Sequence, residues 1–230
     1  MLYLIQSIFY RESEVSAAEI LNELRAFINL LPAWQEKPKE WIIAHPKEKI
    51  IAIDKMGVSN SAVEYVSAIM AKRKNISIAL ASKDGDDSPL IIWLKNTPAV
   101  SENRFSLTLA IRSPNKNNDK STFIKILEKM HYFSAWKYKY ILIETEQYKM
   151  EQRSVFEDRL PVGWMLYLPI IIDPKEIPSA LQVINTLENP STIIITNNTF
   201  DGKNANDILS ANNIEIELAA HGYLPKWTEL

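Results

Sequence analysis

Between Asp158 and Pro174 the chain reads DRLPVGWMLYLPIIIDP, an almost unbroken apolar run set between prolines. No other stretch restricts the fold so tightly. Val162, Trp164, Leu166 and Leu168 alternate with Gly163, Met165 and Tyr167, so in a strand both faces would be apolar. Such a strand belongs at the centre of a sheet, covered on both sides. Pro161 and Pro169 offer no N–H to a ladder and mark its ends. Gly163 permits a bulge or a close backbone approach beside the Trp164 indole. The run from Pro161 to Ile172 falls well short of the roughly 18 apolar residues that span a bilayer.

The rest of the chain has the composition of an ordinary globular protein. Its 230 residues, 47% hydrophobic and 23% charged, suffice for a substantial core, and no Pro-rich or Ser/Gly-rich linker divides them. One domain over residues 1–230 is expected. A net charge of −2 and a pI near 6.0 supply no basic field, so direct nucleic-acid binding and attachment to anionic membranes are not expected. Without cysteine there is no disulfide framework, no thiolate zinc site and no Cys nucleophile. The opening MLYLIQSIFYRESE is broken by Gln6 and Ser7 and has no basic start, so it reads as a strand rather than a leader. The expected location is cytoplasmic.

Element signals follow in an order that excludes strict β/α alternation. SAAEILNELRAFINLLP has a capping box at Ser16 and Glu19 and an apolar stripe through Ile20, Leu24, Phe27 and Leu31, which predicts a helix ending at Pro32. A second helix is expected from Ser61, with Glu64 three residues on and Asn75 closing it. ISIALAS, PLIIWLK and RFSLTLAIR form a predicted antiparallel meander. A third helix, capped by Asp119, runs through Phe123, Leu127 and Met130. YKYILIETEQY reads as a strand with Glu144 and Glu146 on one face, followed by a polar stretch to the opening run. Ile177, Leu181 and Ile184 suggest a helix, TIIIT a strand, NANDILSA a short helix and IEIELA a last strand carrying Glu215 and Glu217. The expected class is α+β, a mixed or mostly antiparallel sheet with helices packed on it.

Chemistry is harder to read. His45, His131 and His221 lie far apart, and none has an acid or second histidine at ligand spacing. No metal site, cofactor motif or catalytic residue is assigned. KDGDDS places Asp84, Asp86 and Asp87 in a turn that lacks the further ligands of a calcium loop, so it reads as a solvated hairpin tip. With Trp93 nearby, such a tip also suits a basic partner surface, the charges steering and the aromatic anchoring. Glu144 and Glu146 are added to these as candidate contact residues. The six tryptophans, with no basic groove around them, are assigned to core or rim packing.

PVGWMLYLP, from Pro161 to Pro169, resembles the Gly-Trp-Met-Leu-Tyr-Leu-Pro strand of the immunity protein 52 family of bacterial polymorphic toxin systems. A second likeness runs from Thr192–Thr196 through Phe200 and Asp201, Ala211 and Asn212, and Ile214–Ile216 to Leu224 and Pro225. Together these cover roughly the last third of the chain, while the first 150 residues fit in length and element order only. The resemblance implies an immunity protein, or antitoxin, that neutralises a cognate secreted toxin. It further implies a toxin that is a nuclease of restriction-endonuclease fold, delivered by type VI or related secretion. Gly163, Trp164, Tyr167, Pro169, Phe200 and Asn212 would then be scaffold, with Asp84, Asp86, Asp87, Trp93, Glu144 and Glu146 as toxin contacts. The oligomeric state is left open. A reading from another class also stands: a small α+β enzyme or ligand-binding protein whose site is assembled from residues such as His131, Glu144 and Asp158. A third is a subunit of a larger assembly, marked by a wide apolar patch.

Overall fold

The computed structural model describes residues 1–31, 38–43, 48–83, 90–97, 101–112 and 120–230. Asp84, Asp86, Asp87, Asp119, Trp34 and His45 lie outside the described residues. In chain order the elements begin β1 (Leu2–Tyr10), α1 (Ala17–Leu30), β2 (Trp41–Ile43), β3 (Ile50–Asp54), β4 (Gly57–Val58) and α2 (Asn60–Arg73). They continue with β5 (Ser77–Ser82), β6 (Ile91–Thr97), β7 (Ser101–Arg112), α3 (Lys120–His131), β8 (Lys137–Thr145) and α4 (Glu146–Met150). The last are β9 (Met165–Leu168), a 3₁₀ turn at Pro174–Glu176, β10 (Gln182–Thr186), β11 (Ser191–Ile195), α5 (Ala205–Ala220) and a 3₁₀ turn at Trp227–Glu229. This is an α+β protein with helices packed on a sheet, and every strand pair of described register is antiparallel.

The chain divides into two compact units, each discontinuous in sequence. The first comprises Met1–Ser7, Ser113–Lys120 and Tyr138–Leu230, and the second Ile8–Arg112 and Ser121–Lys137. In the second unit the strand order is β7-β6-β5-β2-β3-β4, with the end of β1 beside β7. The expected meander is β5 to β7. The expected capping box starts α1: Glu19 N donates to Ser16 Oγ (3.2 Å) and Ser16 N to Glu19 Oε2 (2.8 Å). Phe9 stacks between Phe105 and Trp136, at 5.5 and 4.3 Å between ring centroids, and the Trp136 indole donates to Glu23 (2.8 Å).

Two details of this unit differ from expectation. α2 is capped by Ser59, whose hydroxyl accepts from Ala62 N, and is closed by Lys74 in the left-handed conformation rather than by Asn75. The short strands β2, β3 and β4 have no counterpart among the expected elements. Runs of two to five residues carry too little periodicity to register, and the Asp54 side chain makes the tight turn by accepting from Met56 N and Gly57 N.

In the first unit the order is β10-β11-β9-β8, with the start of β1 beside β8. The opening run supplies β9, paired to β8 with Leu166 opposite Leu142 and to β11 with Leu166 opposite Ile194. Every residue of β9 and β11 is buried, which is why β9 is apolar throughout and β11 is apolar from Ile193 to Ile195 after the buried hydroxyls of Ser191 and Thr192. Three expectations for this region are corrected. No helix forms over Ile177 to Ile184: a 3₁₀ turn lies before it at Pro174–Glu176 and the edge strand β10 begins at Gln182, because Pro178 stops a helix and pairing with β11 overrides the local spacing. The strand IEIELA is part of α5: the Ile/Glu alternation is local, while buried Ala211, Ile214, Glu215 and Leu218 keep a helical period. Glu144 and Glu146 do not share a strand face, since β8 ends at Thr145, whose hydroxyl caps α4 by accepting from Tyr148 N (3.2 Å).

Candidate functional site

The first unit contains a cavity of about 510 Å³ between the end of β8, the N-terminal strand, α4 and the loop 152–161, with Trp227 at its edge. On the β8 side stand Tyr140, Leu142 and Glu144. Glu144 is 2% exposed. Its Oε1 accepts from the Gln6 amide, and the Gln6 carbonyl in turn accepts from Lys149 on α4. Its Oε2 makes no hydrogen bond among the described residues. Burial pushes the Glu144 carboxyl up to about 7, against the opposing pull of Lys149 and Gln6, with a smaller upward push from Glu215.

The motif strand fixes that position. Gly163 sits at φ +58°, and a Cβ there would lie 2.9 Å from Ile143 O and 3.0 Å from Glu144 Cβ. Only glycine lets the chain press so closely on β8 at a left-handed turn. Trp164 N then donates to Ile143 O (2.8 Å), the Trp164 indole to Asn197 O (2.8 Å) and Thr196 Oγ1 to Gly163 O (2.8 Å). Trp164 is fully buried, against Tyr3 at 5.4 Å. Tyr167 and Phe200 are also buried, the latter edge-on to Tyr148, whereas Pro169 is exposed.

The opposite wall is a loop held by α5. Glu215, fully buried, accepts from Val155 N (2.8 Å) and Tyr148 OH (3.0 Å) and also from Val162 N (3.2 Å). One turn earlier the Asn212 amide, oriented with its nitrogen toward carbonyls, donates to Arg153 O (3.0 Å) and Ile208 O (3.3 Å). Burial raises the Glu215 carboxyl above the usual carboxylate range, partly offset by those donors. Burial, aided by Glu215, also pushes the Tyr148 hydroxyl far up, so it stays a neutral donor.

The C-terminal segment completes the mouth. Leu160 N donates to Pro225 O (3.0 Å), Trp227 N to Asp158 O (3.0 Å) and Arg159 Nη1 to Leu224 O (2.7 Å). Trp227 is thereby set edge-on to Tyr140, 6.3 Å between centroids, with 42% of its surface exposed. An exposed, oriented indole beside a concavity is the type of group that anchors protein interfaces.

Of the candidate contacts among the described residues, Glu144 alone lines this cavity. Glu146 is exposed on α4, and Trp93 is exposed on β6 of the second unit, opposite Ala79 and Thr108. For the assembled enzyme site, His131 belongs to α3 in the second unit, while Asp158 is exposed and pairs with Lys226 at 3.5 Å. His221 ends α5 near Glu176, at 3.9 Å. Sequence reading missed Glu215 and Trp227. Glu215 had a signal, a glutamate inside an apolar helical stripe, and Trp227 had none beyond its residue type.

No helix among the described residues is long and apolar enough to cross a membrane. The sequence matches no protein-family model, and no curated protein matches it either.

Proposed function

We propose that this chain is a cytoplasmic immunity protein of a bacterial polymorphic toxin system, which catalyses nothing itself and neutralises a cognate secreted toxin by binding it. The toxin expected from the resemblance is a nuclease of restriction-endonuclease fold, delivered by type VI or related secretion. One observation supports carrying the reading from likeness to site: of the cavity's lining only Pro161 lies in the segments that carry the resemblance, yet residues of those segments brace the walls from behind. Gly163 and Trp164 fix β9 against Glu144, Asn212 holds the loop, and Leu224 with Pro225 delivers Trp227. A frame of that kind suits insertion of a partner's side chain, with the exposed indole as anchor.

The test is co-purification of the tagged chain from its host in moderate salt. A stoichiometric partner, lethal when expressed alone and harmless when co-expressed, supports immunity. Trp227→Ala should then weaken binding about 30-fold or more, the cost of losing a central aromatic anchor. A different reading, a ligand-binding protein or small hydrolase, is favoured by one feature, the buried carboxyl of Glu144 poised to titrate near neutrality inside a cavity of ligand size. Recovery of the chain with a bound small molecule and no toxic partner would select it.

A further inference from the structure

Lys149, Arg153 and Arg159 line the cavity of the first unit against two acids, Glu144 and Glu157. Burial pushes the Glu144 carboxyl up to about 7, which leaves Glu157, exposed at the rim, as the other acid, so near neutrality the cations outweigh the acids. As donors the two arginines are little used. A guanidinium is a planar fork of N–H groups with no acceptor. Arg159 donates from Nη1 to Leu224 O (2.7 Å). Arg153 donates from Nε (2.9 Å) and Nη2 to Glu151 Oε2, an exposed pair of small net worth. Their other N–H groups have no protein acceptor among the described residues. Lys149 is the most committed of the three, since it donates to Gln6 and draws on the Glu144 carboxyl.

The fold holds these groups around one space. Gln152, at φ +50°, turns the chain out of α4, so that Lys149 on the helix and Arg153 beyond it line the same cavity. Arg153 N donates to Tyr148 O (3.3 Å) and Arg153 O accepts from the Asn212 amide. Arg159 lies over the Phe156 ring at 5.9 Å. Tyr140, Phe156 and Trp227 supply aromatic lining, and the volume of about 510 Å³ falls within the range of small-molecule sites, about 300–1,000 Å³.

The geometry points to a binding site for a small organic oxyanion, a carboxylate or phosphate head carried on an aromatic body, with the forks of Arg153 and Arg159 on the head and Tyr140, Phe156 and Trp227 against the ring. The inference goes beyond the partner-binding reading and stands without it. Guanidinium forks meet either oxyanion through paired, charge-assisted hydrogen bonds, and aromatic side chains favour a flat apolar body. Glu144 adds a pH dependence. It faces Gln6 from β1, Lys149 and Tyr148 from α4, through Tyr148 Glu215 from α5, and across the cavity Arg153, Glu157 and Arg159. Protonated, it leaves the oxyanion unopposed; ionised above about pH 7, it repels it, so affinity falls as pH rises.

Phenylacetate, phenyl phosphate and phenethylammonium, alike in body and opposed in charge, are the probes of the full chain, read by the indole N–H resonance of Trp227, assigned with Trp227→Phe. Expected are saturable shifts with the two anions, the tighter of which identifies the head, and none with the cation. Arg153→Gln removes a side chain that holds only Glu151 among the described residues, and it should weaken phenylacetate about tenfold, the worth of a charge-assisted pair. Arg153→Lys keeps the charge without the fork and should recover only part of that loss. Phenylacetate should bind about threefold more tightly at pH 6 than at pH 8, a difference absent from Glu144→Gln. A shift with phenethylammonium instead, no shift with either anion, or an Arg153→Gln chain that binds phenylacetate as the parent does overturns the proposal. Probe binding in a chain that protects against no toxin would keep the oxyanion site and remove the immunity reading. Protection without probe binding would do the reverse.

Discussion

Glu144 and Glu215 are buried carboxyls with different energetics. Glu215 is surrounded by donors, so its removal strands them: Glu215→Ala should cost about 3 kcal/mol or more and speed amide exchange at Val155 and Val162 selectively. Equal exchange in the variant and the parent would show that the loop is held by other groups. Glu144 has one donor and pays for burial in its ionisation. The folded carboxyl keeps its proton to about pH 7 and the unfolded one releases it near 4.5, so the folded chain binds the extra proton between these values. Stability accordingly falls as pH rises through that window, by at most about 3 kcal/mol from this group. Glu144→Gln should match the parent near pH 5 and exceed it at pH 8, with Glu215 leaving a residual slope of the same sign; urea midpoints at the two pH values check it. Neither role is legible from residue type alone, because both depend on which backbone groups the fold delivers to the carboxyl.

Elements differ in how openly the sequence announces them. α1 shows a cap, a stripe and a stop, and β9 shows apolar faces between prolines; for both, local chemistry and tertiary setting agree. At β10 and α5 they part. QVINT is held as an edge strand by Asn185, whose amide donates to Ile172 O (3.0 Å), and by pairing with β11, none of which is visible in its own five residues. IEIE alternates like a strand, yet Asn204 caps a helix that runs straight through it. The glycines of the first unit allow a graded test of setting against conformation. Gly163→Ala meets both a left-handed backbone and the carbonyl of Ile143, so a loss of about 2 kcal/mol or more is expected. Gly222→Ala, at φ +73° with nothing within 4 Å, should lose only about 1 kcal/mol. Equal denaturation midpoints for the two variants would mean that contact with β8 adds nothing.

For the molecule as a whole, class and sheet type were legible, and the division into two units was not, since neither unit is a continuous stretch that composition could delimit. The functional expectation at this scale concerns steering. With a net charge of −2, long-range attraction to a basic partner depends on where the acids gather. If the proposed toxin is the partner, charge reversal at Asp84, Asp86 and Asp87 should lower the association rate with it at least about tenfold at low salt and much less at high salt. An unchanged rate in stopped-flow measurements would leave recognition to the cavity of the first unit.

The membership of β1 in both units bears on how the chain is made. Leu2–Ser7 belong with β8, β9 and α5, yet all of the second unit leaves the ribosome before residues 138–230 are complete. The apolar first strand must therefore wait, unpaired on its β8 side, through most of synthesis, an exposed edge of the kind that recruits chaperones and invites premature pairing. Slow translation before residue 138 should thus lower the soluble yield more than slow translation after it.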